Sequence, residues 1–148
     1  MKQTESNFWK RLKKRIDTSY ECPIVTRIEN SSTPGVPDIL LMDGHKNLHL
    51  IELKVCTGNK VNISPHQVSF ATRHANARVW MLVEVQKSEG NKCYLYRANS
   101  VMKLAEHGLK EVAPDLIFDL VEDFETFIYW IKTSKRLDSP IPSHVKTA

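Results

Sequence analysis

What most constrains this chain is a pair of apolar runs joined by a turn: Pro34-Gly35-Val36-Pro37-Asp38-Ile39-Leu40-Leu41-Met42, then Asn47-Leu48-His49-Leu50-Ile51-Glu52-Leu53-Lys54-Val55. The first opens on Gly/Pro punctuation, and Asp43-Gly44-His45-Lys46 between them carries the Asp-Gly pair that signals a β-hairpin. Side chains alternate across a strand, so Leu48, Leu50, Glu52, Lys54 and Cys56 share one face, and His49, Ile51, Leu53 and Val55 the other. One face therefore carries a carboxylate beside an ammonium among core residues. Burying such a pair is costly unless a further charge, a metal or a substrate neutralises it. Asp38, on the partner strand, is expected within roughly 5 to 8 Å on that face, and two carboxylates that close repel each other. A hard divalent cation relieves the repulsion. Asp and Glu oxygens with a backbone carbonyl suit Mg²⁺ better than zinc, which leaves water and phosphate oxygen as the missing ligands. The alternative without function is that Asp38, Glu52 and Lys54 form a partly buried ion-pair cluster that fixes strand register.

Pro37-Asp38, a spacer and Glu52-Leu53-Lys54 resemble the signature of the PD-(D/E)XK nuclease superfamily. The Gly-x-Pro-Asp-apolar opening and the Glu-Leu-Lys ending are most similar to two of its branches, the VRR-NUC domains and the archaeal-type Holliday-junction resolvases. The likeness extends from residue 5 to residue 85. No other Glu-x-Lys or Asp-x-Lys occurs in the chain, and the second Pro-Asp, Pro114-Asp115, reads as a turn. The resemblance implies a restriction-endonuclease-like α/β domain with a central mixed β-sheet flanked by helices. It implies Mg²⁺, with Mn²⁺ able to substitute, held by Asp38, Glu52 and the Leu53 carbonyl. Lys54 is expected to orient an attacking water and to offset charge at phosphorus, with a 5′-phosphate as product. DNA, branched DNA in particular, is the implied partner, and because cutting both strands of a junction takes two active sites, a homodimer is expected.

The rest of the chain fits around that pair. Its 148 residues suit one compact domain, expected over 1–133, with the Ser139-Pro140-Ile141-Pro142-Ser143 region placing a flexible tail over 134–148. No apolar run approaches a membrane span and the N-terminus lacks a signal-peptide core, so no membrane partner and a cytoplasmic location are expected. Three cysteines far apart indicate neither a disulfide framework nor a zinc cluster. The net charge of +4 is mild but unevenly spread. Lys2, Lys10, Arg11, Lys13, Lys14 and Arg15 crowd the start, and 110–125 is acidic, the layout of a basic helix facing phosphates or simply of a solvated face.

That first helix is expected over 4–17, capped by Thr4 or Ser6, with Phe8, Trp9, Leu12 and Ile16 as its apolar stripe. Glu5 lies one turn before Trp9 and so points along the same inward stripe. The resemblance makes it a further member of the site; helix-dipole stabilisation in the first turn explains it equally. Ile24–Glu29 reads as a strand, and Arg27 within it and Ser32 in the loop after it are offered as phosphate contacts, a role carried over from the resolvases. Ser64-Pro65-His66-Gln67 is a capping box that starts a helix running to Ala77. Capping accounts for Gln67, while the superfamily often sets a Gln there beside the active site. Val79–Val85 and Cys93–Tyr96 read as strands, Ser100 caps a short helix, and Val121–Lys132 is an amphipathic helix with surplus aromatics. Two other functions stay open: a sequence-specific endonuclease of restriction or homing type, which needs base-reading elements, and a non-catalytic DNA-binding module. A small phage or mobile-element nuclease fits the size.

Overall fold

In the computed structural model, which describes residues 3–29 and 32–134, the chain runs α1 (Gln3–Thr18), β1 (Ile24–Arg27), β2 (Ile39–Met42), β3 (Leu48–Cys56), α2 (Pro65–Arg73), β4 (Val79–Val85), β5 (Lys92–Arg97), α3 (Val101–His107), β6 (Leu116–Phe118) and α4 (Phe124–Thr133). The six strands form one sheet in chain order. Every neighbouring pair is antiparallel except β3 and β4. A parallel pair cannot be joined by a tight turn, so α2 serves as the crossover between them. The expected single α/β domain with a mixed sheet and flanking helices is what forms.

Alternation along β3 sorts the core into two. Ile51 and Leu53 join Trp80, Leu82 and Leu95 on the face covered by Phe8, Leu12 and Ile16 of α1 and Phe124, Phe127 and Ile131 of α4. Met81, Val83 and Tyr96 belong to the opposite face, under Ala71 of α2 and Val101 and Leu104 of α3. Each fully buried Leu, Ile or Phe contributes roughly 1.5–3 kcal/mol, so β3 and β4, which bury apolar side chains on both faces, carry much of the stability. Glu52 and Lys54 share the α2/α3 face.

Several local expectations need correction. Thr4 and Ser6 lie inside α1, which begins at Gln3, and do not cap it. Asp38 immediately precedes β2 instead of lying within it. α2 stops at Arg73, four residues before Ala77, where His74 caps it and stacks on Phe70. Ser100 makes no side-chain cap bond, because a 3-10 turn over Ala98–Ser100 leads directly into α3. α4 starts at Phe124, three residues after the expected Val121. The acidic stretch hides β6, and Asp115, expected in a mere turn, accepts the Arg97 backbone N–H at 2.8 Å. Of the surplus aromatics, Phe124 and Phe127 are buried and Tyr129 is exposed. Apart from Ser134, the expected tail lies outside the described residues. Among the described residues no helix is long and apolar enough to cross a membrane.

A buried polar chain ties the hairpin to β4. The Trp80 indole N–H donates to His49 Nδ1 at 3.0 Å, and His49 Nε2 lies 2.8 Å from Asp43 Oδ2. The other Asp43 oxygen accepts the backbone N–H groups of His45 (2.8 Å) and Asn47 (3.1 Å), closing the turn. An indole can only donate, so Nδ1 must accept and the Nε2 proton must go to Asp43. His49 is thereby held neutral. Burial lowers its pKa below the usual 6.5, against the pull of Asp43, while the bonds from His49, Asn47 and His45 hold the Asp43 carboxyl below its ordinary range. As pH falls through about 6.5 the unfolded chain takes up a proton that folded His49 refuses, so stability declines by up to ~1.4 kcal/mol per pH unit. Asp43 adds a loss in the same direction below its unfolded value. Because Glu52 titrates in the opposite sense over the same range, the His49 contribution is read as a difference: in urea unfolding at pH 7.5 and 5.5, the parent is expected to lose stability on acidification relative to His49→Gln, whose amide can accept from Trp80 and donate to Asp43.

Candidate active site

The site begins where β2 stops. Ile39 pairs with Ile51, and one further step of the same antiparallel register sets Asp38 opposite Glu52. Past that point β3 runs on beside β4 alone, and the Asp38 carboxylate takes the place of a strand by accepting the Leu53 N–H at 2.9 Å. N–H and C=O of one residue point to the same side of a strand. The Leu53 carbonyl therefore faces the same edge as Asp38. The Asp38 carbonyl in turn accepts the Ile28 N–H at 2.7 Å, which anchors the residue between β1 and β3.

Gly35 explains how the loop before β2 reaches α2. Its φ is +89°, and a Cβ there would lie 2.3 Å from the His66 carbonyl oxygen, so only glycine lets the backbone seat on the first turn of α2. That contact brings Gln67 to Glu52. The Gln67 amide N–H donates to Glu52 Oε2 at 3.0 Å, while its oxygen accepts the Ser64 N–H at 3.0 Å and its backbone N–H donates to Ser64 Oγ at 3.2 Å. Capping and contact with the site, offered by the sequence as alternatives, are performed by one side chain. Because the Ser64 N–H can only donate, the amide oxygen must face it, and Glu52 necessarily meets the NH₂ end.

Glu52 is 6% exposed and Lys54, on the same face, 8%. Burial, and then repulsion from Asp38, push the Glu52 carboxyl up to about 9; Lys54 opposes them, while a hydrogen bond with Asp38 and the charge of Glu5 add to them. At neutral pH Glu52 thus keeps its proton and shares it with Asp38. Glu5 sits half-buried in the first turn of α1, close enough for its charge to be felt by Glu52. Yet among the described residues no three His, Cys, Asp or Glu side chains gather closely enough to hold a metal. Two carboxylates and a carbonyl are what the strand ends bring together.

The expected phosphate contacts are spread more widely. Arg27, at the end of β1 and paired with Ile39, is exposed and lies 3.6 Å from Glu29; Ser32 is exposed in the loop that leads to Asp38. Lys10, Lys13 and Lys14 are exposed on α1, about 8 to 14 Å along its axis from Glu5, and Lys13 pairs with Asp17 at 2.6 Å. Arg11, counted with them in the sequence, turns inward instead and grips the buried Glu84 of β4 with both guanidinium nitrogens, one at 2.7 Å. An acid inside the apolar run Val79–Val85 was the signal for that pair.

No protein-family model matches the sequence, and no curated protein matches it. The chain is similar to a solved structure described as a VRR_NUC domain, with 21% identity over 72% of this chain and 98% of that one and a TM-score of 0.46. What bears weight for function is the geometry around Asp38 and Glu52.

The raised Glu52 pKa has a measurable cost. Between about 4.5 and about 9 the folded protein retains a proton that the unfolded chain has released, so without a metal, stability falls as pH rises through that window, by up to ~1.4 kcal/mol per pH unit. Glu52→Gln mimics the protonated form and keeps the acceptor for Gln67. The variant is expected to be more stable than the parent in EDTA, with a gap that widens from pH 5 to pH 8 in thermal unfolding.

Proposed function

We propose that the chain is a Mg²⁺-dependent endodeoxyribonuclease that hydrolyses phosphodiester bonds, selective for branched DNA of the Holliday-junction kind. The observation that carries this is the buried Glu52 standing opposite Asp38 at the free edge of β3, two carboxyl groups whose mutual repulsion a positive charge relieves. The donor set fits such a charge. Asp38, Glu52 and the Leu53 carbonyl supply hard oxygens on one open strand edge, the preference of Mg²⁺, and Mn²⁺ accepts the same set. When bound, the cation supplies Lewis acidity toward a phosphate oxygen and a water.

The protein's own residues do the rest. Gln67 holds the Glu52 carboxylate in one orientation, and the Gly35 contact keeps the Gln67 helix turn against the Asp38 loop. Lys54, on the Glu52 face, offsets negative charge that develops at phosphorus and orients the attacking water. Glu5, Arg27 and Ser32 border this region as further candidate contacts, with Lys10, Lys13 and Lys14 as a more distant electrostatic track. The described residues add no module beyond the sheet and its four helices to read bases in a major groove, which favours selection by DNA shape. A homodimer supplies the two sites that a junction needs.

The test is cleavage of a four-way junction beside a linear duplex of the same sequences, in Mg²⁺ and in EDTA. Paired Mg²⁺-dependent nicks in the junction are expected, reduced on the order of 100-fold or more by Asp38→Ala, Glu52→Gln or Lys54→Ala. Cutting of the linear duplex at one sequence transfers the reading to a site-specific enzyme. Absence of cutting, with all variants like the parent, leaves only a DNA-binding module. Titration calorimetry of Mg²⁺ in two buffers of different ionisation enthalpy at pH 8 is expected to report release of about one proton, and Glu52→Gln to release none.

A further inference from the structure

A cleft of about 330 Å³ opens beyond the carboxyl ends of the parallel strands β3 and β4, lined by Thr57, Val85, Tyr94 and Leu109 with Lys87 and Lys110 on it. None of its lining residues is acidic. Its walls are fixed by bonds that are independent of any ligand. On one side the Cys56 thiol donates to the carbonyls of Gly58 (3.1 Å) and Lys60 (3.0 Å). On the other, Asn59 accepts the Leu109 N–H at 2.9 Å and the Lys110 N–H at 2.7 Å, and donates to the His107 carbonyl at 3.3 Å. The cleft is also in register with the catalytic candidates. Lys54 pairs with Val83, and Val83 with Tyr94, so Lys54 and Tyr94 stand in one row on one face, roughly 10 Å apart at two strand spacings.

A larger cleft of about 570 Å³, between α1 and the β4–β5 turn, is less suited to an anion. Its Arg11 is committed to Glu84 and its Arg15 to the Val121 carbonyl, and Asp119 adds negative charge against Lys14, its remaining lining cation.

We propose that the Tyr94 cleft binds one unpaired nucleotide of a nucleic-acid strand, the base stacked on Tyr94 against Val85 and Leu109 and the phosphates met by Lys87 and Lys110. A half-buried aromatic flanked by cations and apolar walls is the arrangement by which proteins hold single strands. A carboxyl-end position at the crossover of an open sheet is where ligands of α/β proteins collect. Resting on the nuclease reading for the kind of polymer, this assigns to the cleft one nucleotide unpaired at the branch point of such a DNA, a short way from the cut.

The probe is an oligodeoxythymidylate of about 12 nucleotides containing one 2-aminopurine, titrated with the full chain in EDTA, beside a blunt duplex of equal length. Fluorescence quenching by the parent is expected, with tighter binding of the single strand than of the duplex. Tyr94→Leu should bind about tenfold more weakly and lose the quench, while Tyr94→Phe, which keeps the ring and guards against a folding defect, should retain both. Lys87→Ala with Lys110→Ala should flatten the salt dependence by about 0.7 in logarithmic slope for each phosphate contact removed. Unchanged affinity and quench in Tyr94→Leu, or a duplex bound as tightly as the single strand, overturns the proposal. Quenching with no cleavage of any DNA in Mg²⁺ defeats the nuclease reading alone, and cleavage with quenching indifferent to Tyr94 defeats the pocket alone.

Discussion

Holding Asp38 opposite Glu52 is unfavourable by itself, and much of the structure is arranged to enforce it. Two carboxyl groups on adjacent strands, one of them almost wholly removed from water, repel each other and lose hydration. The resulting proton on Glu52 is the direct expression of that conflict. What prevents relief by movement is covalent and packing geometry. β3 is buried on both faces between Leu53 on one side and Cys56 and Met81 on the other. Asp38 is held at both ends, its carbonyl by Ile28 and its carboxylate by Leu53.

The two faces of the sheet divide the work. Under α1 and α4 lies the broader apolar core, with the Asp43–His49–Trp80 chain stitching the hairpin turn to β4 at the end away from Lys54. Its members have their polar atoms partnered, so it fixes register without leaving a reactive group. Under α2 and α3 the core is interrupted by Glu52 and Lys54, and the helix that covers them begins beside Glu52. A rigid layer on one side thus supports a charged edge on the other, as preorganised sites require. The crossover connection puts the start of α2 and the ends of β3 and β4 on one side of the molecule, where the candidate catalytic edge and the Tyr94 cleft both lie.

Much of this was legible because it is local. The Asp-Gly turn and the two-residue period gave the hairpin and the shared face of Glu52 and Lys54, and the Ser64-to-Gln67 spacing gave the start of α2. Failures followed the loss of local signal. β6 is three residues long and exists only through its pairing with β5, so an acidic, turn-rich stretch concealed it. Arg11 looked like one more solvated cation because Glu84, its partner, is 73 residues away in sequence. Thr4 and Ser6 have capping chemistry but were overtaken by a helix that begins earlier.

By itself the sequence determined which residues alternate, where the chain turns and which carboxylates and lysine share a strand face, since these follow from backbone geometry over a few residues. Only the tertiary structure decided that β2 ends at the level of Glu52, that Gly35 meets the His66 carbonyl and that Gln67 spans from its own helix cap to Glu52. It likewise decided which lysines face a cleft and which are spent on internal partners. Those outcomes depend on which buried surfaces meet, and burial is a property of the whole packed chain that no short window of sequence contains.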